Sequence, residues 1–308
     1  MGKLMEKILG GATKAPTAAM CGTTKPGCSC RSTGLRIFEN GSFAGAEFCE
    51  CVRGCLKCGG RARFIQGSQS VACKTPDLNR VVNNFNAMTL PARYAHAKMA
   101  EFRNYTGNGK AVVQQVHTWL SSVGTSSARS LVVSGTVGVG KTYLLAAAAK
   151  DLTLRGYTVR FVDFFQLLSE IRAGYADGQT DTKILKPLID VDVLFIDELG
   201  KGRNSEWEQT IIDSLIMGRY NANKIVACST NHPLFSEVKQ QQTYQFDAEA
   251  AGKSTFAPDV YEPLEQRIGK RIYSRLVEMS IFIELSGEDF RRVGRRGIGT
   301  SLSPSTPK

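Results

Sequence analysis

From about residue 129 onward, short apolar runs alternate regularly with longer amphipathic ones. Leu131-Val132-Val133 predicts a strand, then a Gly-rich turn, then a helix over 141–154. The same reading gives a strand over 158–162, a helix over 164–174 and an apolar strand over 192–196 that ends in two acids. A helix over 206–220 and a strand over 225–229 follow. The strands are short, mostly apolar runs, and helices separate them. That pattern belongs to a parallel sheet buried on both faces by helices. A polar insertion over 233–262 breaks the rhythm, which resumes with a helix over 264–279 and a strand over 281–285.

Upstream the pattern is weaker. Val112, Val116, Trp119 and Leu120 share one stripe of a helix over 111–121. Residues 76–110 carry Phe85, Leu90, Pro91, Tyr94 and Phe102 among polar neighbours, the pattern of a connector packing onto the next domain. Residues 46–75 are a compact cysteine block, and 1–45 show no sustained period, so a flexible arm is expected there. The expected division is therefore arm 1–45, Cys-rich module 46–75, connector 76–110, α/β domain 111–292 and a disordered Ser/Pro-rich tail 293–308.

Charge and cysteines separate the same regions. The 308 residues have a formal net charge of +11. Residues 1–120 hold 16 basic and 6 acidic side chains, and residues 121–308 hold 23 and 22. The positive excess, and with it the attraction for a polyanion, belongs to the first part. No apolar run reaches 18 residues and the first 20 lack the apolar stretch of a secretory signal, so a cytoplasmic protein without a membrane partner is expected.

Eight of the nine cysteines also fall in the first part. Without an export signal, reduced thiols that bind metal fit better than a disulfide framework. Cys55-Leu-Lys-Cys58-Gly-Gly has the form of a zinc knuckle, and Cys73 offers a third thiol. A tetrahedral Zn²⁺ site of Cys51, Cys55, Cys58 and Cys73 is expected, with Cys49 as the alternative to Cys51 and Cys28-x-Cys30 as outside candidates. An iron–sulfur cluster is the lesser reading.

The sharpest motif is Gly135-Thr136-Val137-Gly138-Val139-Gly140-Lys141-Thr142, which fits G-x-x-x-x-G-K-[ST] between a strand and a helix. Glycines let successive backbone N–H groups wrap a phosphate chain, and the helix N-terminus adds its partial positive charge. Lys141 is placed for the β- and γ-phosphates of ATP and Thr142 for Mg²⁺. Asp197 and Glu198, about 55 residues on, supply a carboxylate for the Mg²⁺ shell and a general base for the attacking water. Asn231, at the end of the 225–229 strand, is placed to sense the γ-phosphate, and His232 reads as a loop histidine. Arg267, Arg271 and Arg275 share one face of the predicted 264–279 helix. Such a row is either a solvated surface or a source of arginines for a phosphate.

Together the loop 135–142, Asp197-Glu198, Ser229-Thr230-Asn231 and the stretch 267–276 resemble the DnaC/DnaI/IstB branch of AAA+ ATPases. The resemblance covers roughly residues 78–292, including Phe85 to Tyr94, which is similar to the segment before that family's ATPase core. It implies an α/β AAA+ P-loop NTPase domain preceded by a small zinc module, and an enzyme that hydrolyses ATP. Thr230-Asn231 fill the first sensor position by resemblance. Arg271 is similar to an inter-subunit arginine finger, which implies ATP-dependent self-association, and Arg275 to a second sensing arginine. The implied function is loading of the replicative DNA helicase onto single-stranded DNA, with the cysteine block in the place of the DnaI-type zinc module. The alternative is assistance to a DNA transposase, as in the IstB group. The 233–262 insertion is longer than many members carry.

Overall fold

The computed structural model describes Cys28, Cys30, residues 33–50, Cys58, and residues 63–72, 78–104, 106–234 and 262–291. Most of the expected arm, most of the 233–262 insertion and the tail from 293 lie outside them.

Five parallel strands form the central sheet: β5 (Ser130–Ser134), β6 (Val159–Asp163), β7 (Val193–Asp197), β8 (Ile225–Thr230) and β9 (Ser280–Glu284), in the order β6-β7-β8-β5-β9. Every residue of β5 and of β7 is buried. Because successive side chains point to opposite faces, each strand feeds two separate cores. Leu131, Val133, Val193, Phe195 and Ala227 face one side and pack against α2 (Gly109–Ser122) and α3 (Lys141–Leu154). Val132, Leu194, Ile196, Val226 and Cys228 face the other, against α4 (Phe164–Ala176), α5 (Asp181–Asp190) and α6 (Glu206–Asn221). The expected parallel sheet with helices on both faces is what the chain forms.

Arg219 of α6 is fully buried. Its guanidinium donates to the carbonyls of Leu188, Ile189, Val191, Asp192 and Ile225, which ties the end of α5 to the start of β8. Burial pulls its pKa down to about 10.

Three features depart from the sequence reading. The first lies inside the stretch expected as a flexible arm. Leu35–Asn40 (β1) and Phe43–Phe48 (β2) form an antiparallel hairpin, with Gly41 at φ +59° in the turn. Ala44 N–H donates to Leu90 O, and the Asn86 side chain brackets Ala46 by both its N–H and its C=O. Ala44 and Ala46 are thereby buried in the same core as the sheet. A second hairpin, Arg63–Gln66 (β3) with Gln69–Ala72 (β4), stands largely exposed. The connector contributes a helix of its own, α1 (Leu78–Ala87), which buries Leu78, Val81 and Phe85.

The second departure is α5, which the sequence reading left without structure. It begins at a Thr180 cap, whose hydroxyl accepts from Lys183 N–H, and buries only Leu185 and Leu188. The third is the helix expected over 264–279. It is broken at Gly269, whose φ of +86° no L-residue adopts without strain, into α7 (Leu264–Ile268) and α8 (Lys270–Met279). Arg267 is thus on a different helix from Arg271 and Arg275. No helix among the described residues is long and apolar enough to cross a membrane.

Candidate functional site

The C-terminal ends of β5, β7 and β8 lie side by side, the edge at which parallel sheets bind ligands. The loop Gly135–Gly140 leaves β5 and enters α3. Gly135, Gly138 and Gly140 have φ of +151°, +82° and +105°. A Cβ on Gly138 would lie 2.0 Å from Asp289 Oδ1, and one on Gly140 2.8 Å from the Phe102 ring. At Gly135 a Cβ would lie 2.1 Å from Leu285 O, a backbone atom, so there space as well as backbone conformation restricts the position to glycine.

Lys141 opens α3 and is buried. Its ammonium donates to Gly135 O and Thr136 O, both at 2.7 Å. Burial pulls its pKa down to about 8, and the nearby Arg291 pushes in the same direction, while Asp197 and Glu198 oppose them. Thr142 donates its hydroxyl to Asp197 Oδ1 at 3.0 Å. Ser229, fully buried at the end of β8, donates to the same oxygen at 2.5 Å. Burial pushes the Asp197 carboxyl up from its ordinary value, against the hydrogen bonds from Ser229 and Thr142 that hold it down.

Glu198 follows with φ +56°, a left-handed conformation that is costly for a non-glycine residue and clusters at functional sites. Its N–H donates to Ser229 Oγ at 2.9 Å, and its carboxylate pairs with Lys201. The hydroxyl of Ser229 thus fixes both acids at once. The sequence places Ser229 in the Ser229-Thr230-Asn231 stretch but gives it no role of its own, because a serine at a strand end has no partner to name until β7 and β8 are known to be neighbours.

A cavity of about 500 Å³ opens over this edge. Lys141, Thr142, Glu198 and Asn231 line it, together with Phe102 and Arg291. The last two were not assigned to the site from sequence. Phe102 packs on Gly140 from the connector. Arg291 arrives on the segment after β9, where Phe290 N–H donates to Gly138 O at 3.1 Å. The hydroxyl of Thr142 and the carboxylate of Asp197 form the hard-oxygen set that suits Mg²⁺, and the glycine-walled loop suits a phosphate chain.

The arginine row is placed elsewhere. Arg267 donates to Gly200 O at 2.6 Å and also to Gly202 O, bracing the turn after Glu198. Arg271 is 72% exposed and lies 3.7 Å from Asp213. Arg275 pairs with Glu278 at 3.0 Å and stacks over the Tyr220 ring. Neither Arg271 nor Arg275 lines the cavity of its own chain. His232 is buried, with its Nδ1 against Glu262 O, a structural contact.

In the N-terminal part, Cys51, Cys55 and Cys73 lie outside the described residues, and Cys58 is buried. The thiols of Cys28, Cys30 and Cys49 lie within 4.8 Å of one another. The structure therefore gathers the cysteines that sequence ranked as outside candidates or as an alternative.

The family model for IstB-like ATP binding protein matches residues 74–248, more than half of the chain. The chain belongs to the IstB-like ATP-binding family. The family match includes the loop 135–142, both acids and Ser229 to Asn231; the cysteine cluster, α7, α8 and β9 fall outside it. Two curated relatives come from Escherichia coli (strain K12). The replicative helicase loader DnaC is 26% identical over 145 residues, 47% of this chain and 59% of that protein. An uncharacterized protein, YdaV, is 36% identical over 98 residues, 32% of this chain and 40% of that protein. The chain therefore matches less than two thirds of either relative's length. Among solved structures, the DnaC helicase loader superposes with a TM-score of 0.49 at 25% identity, covering 63% of this chain and 98% of that one. DnaI superposes with a TM-score of 0.47 at 20% identity, covering 65% and 93%.

Proposed function

We propose that this IstB-like protein hydrolyses ATP with Mg²⁺ and delivers a replicative DNA helicase to single-stranded DNA. The observation that carries the ATPase reading is the cluster Thr142–Asp197–Ser229–Glu198. Hydrolysis needs one acid beside the metal and a second free to take a proton from water. Asp197, buried and held by two hydroxyls, suits the first role. Glu198, half-buried at the cavity and paired only with a surface lysine, suits the second, with Asn231 positioning the water. Lys141 exchanges its loop carbonyls for the β- and γ-phosphates. Arg271, exposed and away from its own cavity, reaches the γ-phosphate of a neighbouring subunit as the subunits associate, and Arg275 supports it as a second sensing arginine.

The homology to DnaC supports the helicase as partner. The basic N-terminal part supplies salt-dependent attraction to single-stranded DNA. In this reading residues 46–75 form a zinc-binding module with Cys51, Cys55, Cys58 and Cys73 as ligands, which docks on the helicase. Mixing the protein with its host's replicative helicase tests the assignment. Co-elution on size exclusion in the presence of ATP is expected. No complex in any nucleotide state, with complex formation instead with a DNA transposase, would move the protein to the transposition-helper role of its family.

A further inference from the structure

Among the described residues, the structure brings together Cys28 and Cys30, upstream of the 46–75 block, and Cys49 near its start. Cys28 and Cys30 precede β1, Cys49 follows β2, and the backbone between them accounts for their meeting. Cys49 N–H donates to Gly34 O at 2.8 Å, which continues the ladder one pair beyond Leu35↔Phe48. Thr33 then donates to Cys30 O twice, from its N–H at 3.0 Å and its hydroxyl at 2.6 Å. These two hydrogen bonds hold Thr33 against Cys30, and the thiols of Cys28 and Cys30 meet that of Cys49 at the base of the hairpin.

The separations are those of ligands rather than of a crosslink. Cys28 Sγ and Cys49 Sγ are 3.3 Å apart, well beyond the about 2.05 Å of a disulfide. Zinc–sulfur bonds of about 2.3 Å in a tetrahedron set neighbouring sulfurs about 3.8 Å apart. Three thiols within 4.8 Å of one another reach that spacing by small side-chain rotations. Cys30 and Cys49 are 5% and 7% exposed, and Cys28 is half-buried, so the site is walled yet open on one side.

We propose that Cys28, Cys30 and Cys49 ligate a zinc ion at the base of the β1–β2 hairpin. This rests on reading the cysteine-rich part as metal-binding, and it names thiols upstream of Cys51 as ligands. Each thiol releases its proton to solvent as its Zn–S bond forms. Soft thiolates select zinc over the hard cation of the nucleotide site. The metal closes the open end of a hairpin whose other contacts run into the ATPase core. Leu35, beside the site, packs with Leu78, Val81 and Leu154, the last of these from the helix that begins at Lys141. Zinc here pins the hairpin to that helix.

Elemental analysis of the full-length chain tests this, using wild type, the Cys28→Ser/Cys30→Ser double variant and Cys55→Ser. The double variant should lose about one equivalent of zinc. Cys55→Ser reads the ligands of the 46–75 block by the same count. Full zinc in the double variant would overturn the proposal. Full zinc in Cys55→Ser alongside the loss in the double variant would overturn only the Cys51/Cys55/Cys58/Cys73 site. A folding defect in the variants is bypassed on the wild-type chain by alkylation under native conditions. Half-buried Cys28 should react only after a chelator strips the metal, whereas equal reaction with and without chelator contradicts the site.

Discussion

Replacing Ser229 by alanine removes one buried hydroxyl with two partners. Its bond to the Asp197 carboxylate is charge-assisted, and bonds of that class contribute about 1.5–3 kcal/mol. Its second partner, Glu198 N–H, is left without an acceptor, which costs about 1–3 kcal/mol in a buried setting. The two terms share one atom and do not simply add, so the expected loss of stability is about 2–4 kcal/mol. With a urea m-value of about 3 kcal/mol/M, that lowers the midpoint by about 1 M. Function should suffer separately from stability. Asp197 loses the stronger of the two bonds opposing its burial, so its pKa rises further and its hold on Mg²⁺ weakens. Glu198, at φ +56°, loses the contact that fixes its backbone. Urea unfolding followed by fluorescence, with ATP turnover measured on the same preparation, reads both effects. Ser229→Thr keeps the hydroxyl and should retain more turnover than alanine. Wild-type midpoint and wild-type turnover in Ser229→Ala would refute the view that this hydroxyl organises the two acids.

Two further predictions concern charge. Burial holds Lys141 at a pKa of about 8, and phosphates bind its charged form. Below pH 8 the free protein already carries that charge. Above it, ATP binding must take up a proton, so Kd should rise by up to about tenfold per pH unit between pH 8 and the pKa in the complex. A Kd constant from pH 7 to 9.5 by calorimetry would contradict the assignment. Arg271→Ala should leave the unfolding free energy within about 0.5 kcal/mol of wild type, because the exposed pair with Asp213 contributes little. Turnover should fall about 10³-fold. Mixing with a Lys141→Ala variant, whose arginine is intact, should restore part of it, whereas unchanged turnover in Arg271→Ala removes the in-trans role.

The order of the strands from residue 129 was legible because the central ones, β5 and β7, are buried on both faces, so their hydrophobic runs are nearly continuous. The phosphate loop was legible because its spacing is fixed by the backbone: Gly135, Gly138 and Gly140 all stand at positive φ, which favours glycine. The β1–β2 hairpin was not. Its buried face is made of alanines, Ala46 held by Asn86 from 40 residues away and Ala44 by Leu90 O, and small side chains give no periodic signal. The helix α5 hid behind Pro187 and only two buried leucines. The break at Gly269 was overlooked because Arg267, Arg271 and Arg275 keep a spacing of four across it, although they end on two helices. Phe102 and Arg291 reach the cavity from either side of the sheet sequence, 39 residues before Lys141 and 150 after it, a proximity that only the tertiary fold creates.

In the proposed reaction Glu198 acts as base at an ATP site built on Lys141, Thr142 and Asp197. The most direct measurement is ATP turnover by wild type and Glu198→Gln, with nucleotide affinity determined on the same samples. Glutamine keeps the shape and removes the proton acceptor. Affinity should stay near wild type while turnover falls about 10²–10⁴-fold. Equal turnover by the two proteins would contradict the account.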